Sequence, residues 1–355
     1  MRFIGSKERL LPFIEDAFVR YVGKGKHRVG DPFCGTATVS RLFKRLGNKV
    51  IANDNLKLGY VFANSALNIN SEPGFALLIK SGEISSLSQK SLYFTPYDQV
   101  LTFLNMIPMI EGFFAREYSP SGAKTTGIER RYFSDENAGR IDAIRAQLSR
   151  WNKTQLLTET EHCLLLADLM RATNRVANIA GTYGCFIKHW DARALRPLKL
   201  ERSAITPGIL KHNVFCNDAN ELVRKLKFDV LYLDPPYTWR HYGAYYHILE
   251  TIAQEDEPVV SGKTGLRPWQ QSKSVYCDRE NAVNALHNII SFAKTEHLFL
   301  SYNNEGLISH DQILDALKKR GDTRCMEIGY RRYRSNNGGS MRNHLKERLY
   351  YVKIK

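Results

Sequence analysis

Phe228–Tyr237 reads FDVLYLDPPY, and this stretch decides the fold. Val230, Leu231, Tyr232 and Leu233 make a short apolar, β-prone run that Asp234-Pro235-Pro236-Tyr237 ends abruptly. Two prolines fix φ twice and remove two backbone donors, so neither a helix nor a central strand continues through them. The residue before each proline is driven to extended geometry. The expectation is a stiff loop at the C-terminal end of a buried strand, where open α/β sheets bind ligands. The loop offers one carboxylate, free carbonyls and an aromatic ring, which suit a planar base bearing an amino group. Asp234 can accept one hydrogen bond from an exocyclic NH2, a carbonyl of Pro235-Pro236 can accept the other, and Tyr237 can stack on the ring. For the tetrapeptide taken alone, the plain alternative is an ordinary turn with an exposed tyrosine.

Working outward, three more short strands end in polar or glycine-containing turns. Arg28–Gly30 runs into Asp31-Pro32-Phe33-Cys34-Gly35-Thr36, followed by a helix with Val39, Leu42, Phe43 and Leu46 on one face and Gly47-Asn48 at its end. A glycine in such a turn lets a ligand approach the backbone closely. The turn is neither GxGxxG nor a phosphate loop, which argues against a nucleotide polyphosphate. Lys49–Ala52 ends at Asn53-Asp54-Asn55, and an acidic residue there suits a ribose hydroxyl pair, a capping Asp being the alternative. Val214–Leu222 holds a strand ending at Asn217-Asp218. At the N-terminus, Gly5-Ser6-Lys7 leads into a helix with Leu10, Leu11, Phe13, Ile14 and Phe18 on one face; Ser6 could cap it and Lys7 could reach a ligand carboxylate, although for this stretch alone a plain amphipathic helix is the favoured reading.

The chain has 355 residues, with Lys+Arg 51 against Asp+Glu 36, net +15. That balance suggests a polyanionic partner, most often nucleic acid, the alternative being a soluble protein that is simply basic. Hydrophobic content of 43% with 25% charged residues is that of a soluble globular protein. Cys34, Cys163, Cys185, Cys216, Cys277 and Cys325 are scattered without a CxxC or a Cys/His cluster, so no metal site is expected and free thiols in a reducing cytoplasm are the simpler reading. No signal peptide and no membrane-spanning run are visible.

From about 79 to 210 the pattern is helical and charged. Leu101–Phe114, Ala138–Trp151 and Glu161–Ala177 read as helices, and Tyr118–Arg131 as a loop rich in Gly, Ser, Lys and Arg. Gly181–Leu200 interleaves basic and aromatic residues, which suits phosphate contacts, the alternative being a solvated surface with ordinary core aromatics. Beyond Tyr237, Arg240, Tyr242, Tyr245, Tyr246 and His247 crowd together, Gly262–Arg267 reads as a flexible basic loop, Glu280–Ala293 as a helix and His297–Asn304 as a strand. Residues 330–355 give two β-like runs joined by a basic, Gly-rich turn.

Taken together, FIGSK, DPFCGT, NDN, CNDA and DPPY, in this order, resemble the motifs of the Dam-like class of S-adenosylmethionine-dependent, N6-adenine-specific DNA methyltransferases, mostly of restriction-modification systems. RRYFSDENAGRIDAIR and GTYGCFIKHW resemble blocks found in part of that class, so the resemblance spans nearly the whole chain. Two departures stand out: Ala37 replaces the second glycine of F-x-G-x-G, and Asn55 and Ala219 stand where larger apolar residues are common. Adenine stacking is then expected from elsewhere, with Phe33 as the candidate.

The resemblance implies an α/β fold: a Rossmann-like seven-stranded, mostly parallel sheet with helices on both faces and the last strand pair antiparallel. Residues 1–78 and 211–355 would form the catalytic core, and 79–210 a helical target-recognition insert. It implies S-adenosylmethionine held by Ser6, Lys7, Asp31, Phe33, Cys34, Gly35, Thr36, Asp54, Asn55, Asp218, Ala219 and Asp234. Asp234, Pro235, Pro236 and Tyr237 would be catalytic on a flipped adenine. Lys124, Arg130, Arg131, Lys188, Arg240, Tyr242 and Arg267 are the residues expected to contact duplex DNA. A cytoplasmic location in a bacterium or phage also follows, as does a separate cognate restriction endonuclease; no oligomeric state follows. Competing readings are an RNA base-amine methyltransferase, an N4-cytosine DNA methyltransferase, against which Asp rather than Ser before Pro-Pro-Tyr weighs, and a DNA-binding module without catalysis.

Overall fold

Short apolar runs punctuated by turn residues become seven strands: β1 Arg28–Asp31, β2 Lys49–Asn53, β3 Asn213–Phe215, β4 Val230–Leu233, β5 His297–Asn303, β6 Gly321–Arg331 and β7 His344–Ile354. The computed structural model describes residues 3–84, 94–331 and 344–355. The strands form one sheet in the order β3-β2-β1-β4-β5-β7-β6. Strands β3, β2, β1, β4 and β5 run parallel, whereas β7 is antiparallel to both β5 and β6. The order reverses between β1 and β4, so the C-terminal ends of β1, β2, β3 and β4 share the edge at the switch point where such sheets bind ligands.

The chain divides into two compact units. One comprises residues 5–63, 208–243 and 270–355 and carries the whole sheet; the other comprises 1–4, 64–207 and 244–269. Residues 64–78 and 244–269, placed with the catalytic core in the sequence reading, cluster with the helical insert instead.

In the sheet unit, strand periodicity sends alternate side chains to opposite faces. Leu231, Leu233, Leu298, Leu300, Tyr350 and Val352 enter one apolar layer, covered by residues of the helices Ala219–Lys225, Ala282–Phe292 and His310–Lys318. On the other face, Phe18 of helix Leu11–Tyr21 packs 5.2 Å from Phe43 of helix Thr38–Arg45 and 6.3 Å from Phe299 (ring centroids), while Phe43 meets Tyr232 at 5.8 Å. At roughly 25 cal/mol per Å2 of apolar area, burying rings of this size dominates the stability of each layer.

The helical unit is built on Pro96–Met106, Phe113–Tyr118, Asp135–Lys153, Glu159–Val176 and His247–Gln254. Thr158 and Glu161 form a reciprocal cap at the start of the fourth of these. The helix expected over Leu101–Phe114 is broken: Pro108 drives Ile107 to φ −60°, ψ 139°, so one helix ends at Met106 and another begins at Phe113. The expected loop Tyr118–Arg131 contains a 3-10 turn, Pro120–Gly122, and a short helix, Ala123–Thr126.

Other boundaries also move. Ser6 does not cap the N-terminal helix; a 3-10 turn at Glu8–Leu10 comes first, and Leu10 precedes the α-helix without a side-chain cap bond. β6 starts at Gly321, well before the β-like run expected from residue 330, because it pairs along its length with β7. The Gly-rich turn expected between the two runs lies outside the described residues. Among the described residues, no helix is long and apolar enough to cross a membrane, and no group of three or more His, Cys, Asp or Glu could hold a metal ion.

Candidate active site

The edge formed by the ends of β1, β2, β3 and β4 gathers most residues singled out in the sequence. Asp31 closes β1, and the turn after it is tied down from β2: Cys34 N donates to Asn53 O (2.9 Å), and Gly35 N to Asp54 Oδ2 (2.9 Å). Gly35 sits at φ 50° and Ala37 at φ 58°, so the position where glycine is usual still adopts the left-handed conformation. Alanine there is strained by about 1 kcal/mol, which its burial helps to offset.

Asp31 is 1% exposed; Ser40 Oγ donates to its Oδ2 (2.6 Å), while Oδ1 is buried without a hydrogen-bond partner. Burial pushes its carboxyl up to about 7, opposed by Ser40 and reinforced by Asp234 and Asp54. An orphaned buried carboxylate oxygen suits an ammonium ligand such as the amine of an amino acid. Asp54 also accepts from Leu56 N through Oδ1 (3.0 Å). Asp218 is exposed and caps the helix Ala219–Lys225 through Glu221 N (2.9 Å), whereas Ala219 is buried in the apolar layer. Phe33 packs edge-on against Tyr276 at 5.1 Å. Ser6 and Asn55 are exposed, Asn55 donating to Ser272 O (3.2 Å); Cys34 is buried; the Thr36 and Thr38 hydroxyls lie 3.0 Å apart.

β4 delivers Asp234-Pro235-Pro236-Tyr237 to the same edge. Lys7, 4% exposed, places Nζ 2.9 Å from Asp234 Oδ1 and 3.1 Å from Glu347 Oε1, and 5.2 Å from the centre of the Tyr237 ring. Burial lowers the proton affinity of Lys7, but Asp234, Tyr237 and Glu347 outweigh it and hold the ammonium well above its usual range. Asp234 is raised to about 6 by burial, with Lys7 pulling down and Glu347 pushing up. The Tyr237 ring stands edge-on to Tyr302 at 5.6 Å, and its carbonyl accepts from Leu307 N (2.9 Å). Gly5, at φ +78°, has no room for a Cβ, which would lie 2.7 Å from Tyr242 Oη and 3.9 Å from Tyr237 Oη. Tyr242, expected at the DNA surface, therefore stands half-buried beside the Asp-Pro-Pro-Tyr loop.

Two of the expected DNA contacts need correction. Arg130 is 3% exposed, its guanidinium donating to Glu117 O and Oε2, Lys263 O and Gly262 O. Arg267 is 7% exposed and donates to Thr251, Gln254 and both oxygens of Asp256. Arg130 fastens the segment 244–269 to the insert, whereas Arg267 ties that segment to itself and makes the expected basic loop a tied turn, closed by paired Ser261 and Leu266. Lys124 and Lys188 are exposed, Arg131 partly so with Glu129 and Lys188 O as partners, and Arg240 is half-buried.

Sequence reasoning missed three residues. Asn53, fully buried, donates to Pro32 O and Asn217 O and accepts from Asn217 N, joining three strand ends. Ser40 holds Asp31, and Glu347 holds Lys7. Asn53 lay within a quoted motif; the other two carry no local signal.

A sheet of this order, with a glycine turn after β1, acidic residues after β2 and β3 and Asp-Pro-Pro-Tyr after β4, defines a Rossmann-like methyltransferase. Residues 3–314 match the family described as D12 class N6 adenine-specific DNA methyltransferase, and the chain belongs to it. It is 38% identical over 355 residues to the Type II methyltransferase M.FokI of Planomicrobium okeanokoites, covering 99% of this chain and 52% of that protein. It is 36% identical over 361 residues to the modification methylase StsI of Streptococcus sanguinis, covering 100% of this chain and 52% of StsI. Identity to the Type II methyltransferase M.NlaIII of Neisseria lactamica is 36% over 349 residues, covering 97% of this chain and 95% of that one. The chain thus spans about half the length of M.FokI and StsI and nearly all of M.NlaIII.

Proposed function

We propose that the protein is a site-specific DNA methyltransferase that methylates N6 of adenine in duplex DNA, with S-adenosylmethionine as methyl donor and the target base flipped out of the helix. The observation that carries this reading is the placement of the Asp234 carboxylate, 15% exposed, on the same strand-end edge as the orphaned oxygen of Asp31. When bound, S-adenosylmethionine supplies an electrophilic methyl group on a cationic sulfur, which departs as a neutral thioether.

Asp31 would hold the ammonium of the donor, with the Phe33–Gly35 backbone beside it. Asp54 would take the ribose hydroxyls and Asp218 the adenine amino group. Lys7 is occupied by two protein carboxylates, so any contact to the donor's carboxylate is shared with them. Asp234 accepts one N–H of the target amine and a carbonyl of Pro235 or Pro236 the other, which favours a more tetrahedral nitrogen whose lone pair can attack in line. The nitrogen gains a methyl group and releases a proton, for which Asp234 is the adjacent acceptor. Tyr237 stacks on the flipped base. Much of the rate then comes from positioning and fixed charge.

The helical unit is assigned to target recognition, with Lys124, Arg131 and Lys188 as phosphate contacts and Arg240 at the catalytic loop. A restriction-modification context is supported by relatives named Type II methyltransferases and modification methylases. With such partners, a bacterial or phage cytoplasm is the fitting location, and a separate restriction endonuclease the fitting companion.

The test is transfer of labelled methyl from S-adenosylmethionine to unmethylated duplex DNA with base-resolved mapping, alongside Asp234→Ala. Label on adenine N6 at one recurring sequence is expected, reduced about 10³-fold or more in the variant with duplex affinity kept. Near-normal methylation by Asp234→Ala would sink the assigned mechanism; label on cytosine, or on RNA alone, would replace the substrate.

A further inference from the structure

Glu347 lies on the last strand, remote in sequence from every motif of the site, yet its carboxylate reaches the site's centre. Strand alternation explains how. Leu231 and Leu233 of β4, Leu298, Leu300 and Tyr302 of β5, and Tyr350 and Val352 of β7 enter the apolar layer on one face. Tyr232, Asp234, Ser301 and Glu347 alternate with them and point to the other face, which helix Leu11–Tyr21 covers. Lys7, on the segment leading into that helix, drops its ammonium between Asp234 and Glu347. Ser301 Oγ fixes Glu347 from the neighbouring strand, donating to Oε1 (2.6 Å).

Glu347 is 1% exposed, and its second oxygen has no hydrogen-bond partner. An acid so buried is costly, and for stability alone an apolar residue of similar volume generally does as well or better. Two acids share one ammonium, which leaves the cluster with one negative charge in excess. The other titratable groups facing it are Tyr232 on β4, Tyr237 after β4 and Asp31 at the end of β1.

We propose that Glu347 is a positioning residue for methyl transfer: it clamps Lys7 against Asp234 and, by its charge, sets the charge that Asp234 presents to the target amine. The inference rests on the reading of Asp234 as the acceptor for the N6 amino group. Glu347 does not touch the base; it acts through Lys7.

The experiment follows kcat for duplex methylation from pH 5 to 9 at saturating S-adenosylmethionine, comparing the unsubstituted full chain with Glu347→Gln, Glu347→Asp and Asp234→Ala. Gln keeps the shape and the contact to Ser301 but removes the charge. Both acids touch one nitrogen, so they lie within about 6 Å of each other, and losing one moves the acid limb of kcat downward by at least about one pH unit. The plateau falls about tenfold, while duplex affinity stays within about twofold. Glu347→Asp keeps the charge but withdraws it, so its plateau falls with the limb in place.

A Glu347→Gln limb at the unsubstituted position, whatever the plateau, overturns the proposal and leaves Glu347 a packing residue. Thermal unfolding monitors the fold; if the Gln variant does not fold, Glu347→Asp decides, and an unsubstituted plateau in it overturns the clamp. If Asp234→Ala retains methylation, the reading of the site itself fails. If Asp234→Ala is inactive and Glu347→Gln shows no limb shift, only the role of Glu347 fails.

Discussion

Replacing Lys7 by methionine removes the cation between Asp234 and Glu347 while filling much of the same volume. The ammonium lies 2.9 Å from Asp234 Oδ1, and at an effective dielectric constant near 20 that attraction is roughly 6 kcal/mol. This corresponds to about four units of proton affinity. Relaxation and water entry reduce it, so a rise of about two units is the conservative expectation. Asp234 already stands at about 6, because burial and Glu347 raise it more than Lys7 lowers it. Without Lys7 it passes neutrality and reaches about 8 or higher.

A raised carboxyl stays protonated until the pH exceeds its folded value, so at pH 7.5 most Asp234 side chains in the variant are neutral acids. A neutral acid has lost the charge that steadies the methylated amine. The assay is initial-rate methyl transfer to duplex DNA at saturating S-adenosylmethionine, from pH 6 to 9.5. The unsubstituted protein should be flat above about pH 7. Lys7→Met should be reduced about fourfold or more at pH 7.5 and climb toward its plateau by about pH 9.5. Thermal stability follows the same sign: Asp234 binds its proton more tightly folded than unfolded, so the variant's deficit in Tm should be least in acid and grow as the pH rises through that carboxyl's folded value. A Lys7→Met profile parallel to that of the unsubstituted protein at every pH would refute the electrostatic argument.

Tyr237→Ala should reduce kcat about 100-fold and Tyr237→Phe less than about threefold, because stacking uses the ring and not the hydroxyl; equal rates would remove the stacking role. Gly5→Ala forces a side chain onto φ +78° and within 2.7 Å of Tyr242 Oη, so it should cost about 1–3 kcal/mol of stability along with activity. Adding Tyr242→Phe should restore the steric part but not the backbone part, as a double-mutant cycle in thermal unfolding would show. Arg267→Ala should lower stability by about 1–2 kcal/mol, by removing its hydrogen bonds to Thr251, Gln254 and Asp256, without changing the salt dependence of duplex binding. Lys188→Ala should instead leave Tm alone and reduce the salt slope by about 1, measured by titration of labelled duplex.

The sheet was legible because its strands are short, apolar and punctuated. VLYL before two prolines, and KVIAN before Asp-Asn, leave little choice of conformation or of which end carries the ligand. The arrangement of acidic groups along one edge followed from strand direction alone. What stayed illegible was set by long-range pairing. β6 extends back to Gly321 only because β7 lies alongside it, and its own sequence alternates too weakly to announce this. Arg130 and Arg267 look like phosphate ligands by charge, and only the fold reveals the carbonyls and carboxylates that bury them. Glu347 was hidden for the same reason, since its partner stands at the opposite end of the chain.

The division of the chain bears on how relatives can be recombined. The polypeptide passes between the two units at Ile4–Gly5, Ala63–Asn64, Pro207–Gly208, Gly243–Ala244 and Trp269–Gln270. A chimera that exchanges only the long insert would separate it from 244–269, and with it from the Asp256 carbonyl that accepts from Arg145 and the carbonyls that hold Arg130. Moving the helical unit onto another sheet therefore means moving both segments together, with joints cut inside the helices Lys57–Asn68 and Tyr242–Tyr245. Those joints need matched helix registers in donor and host, since a one-residue slip would turn every following side chain by about 100°.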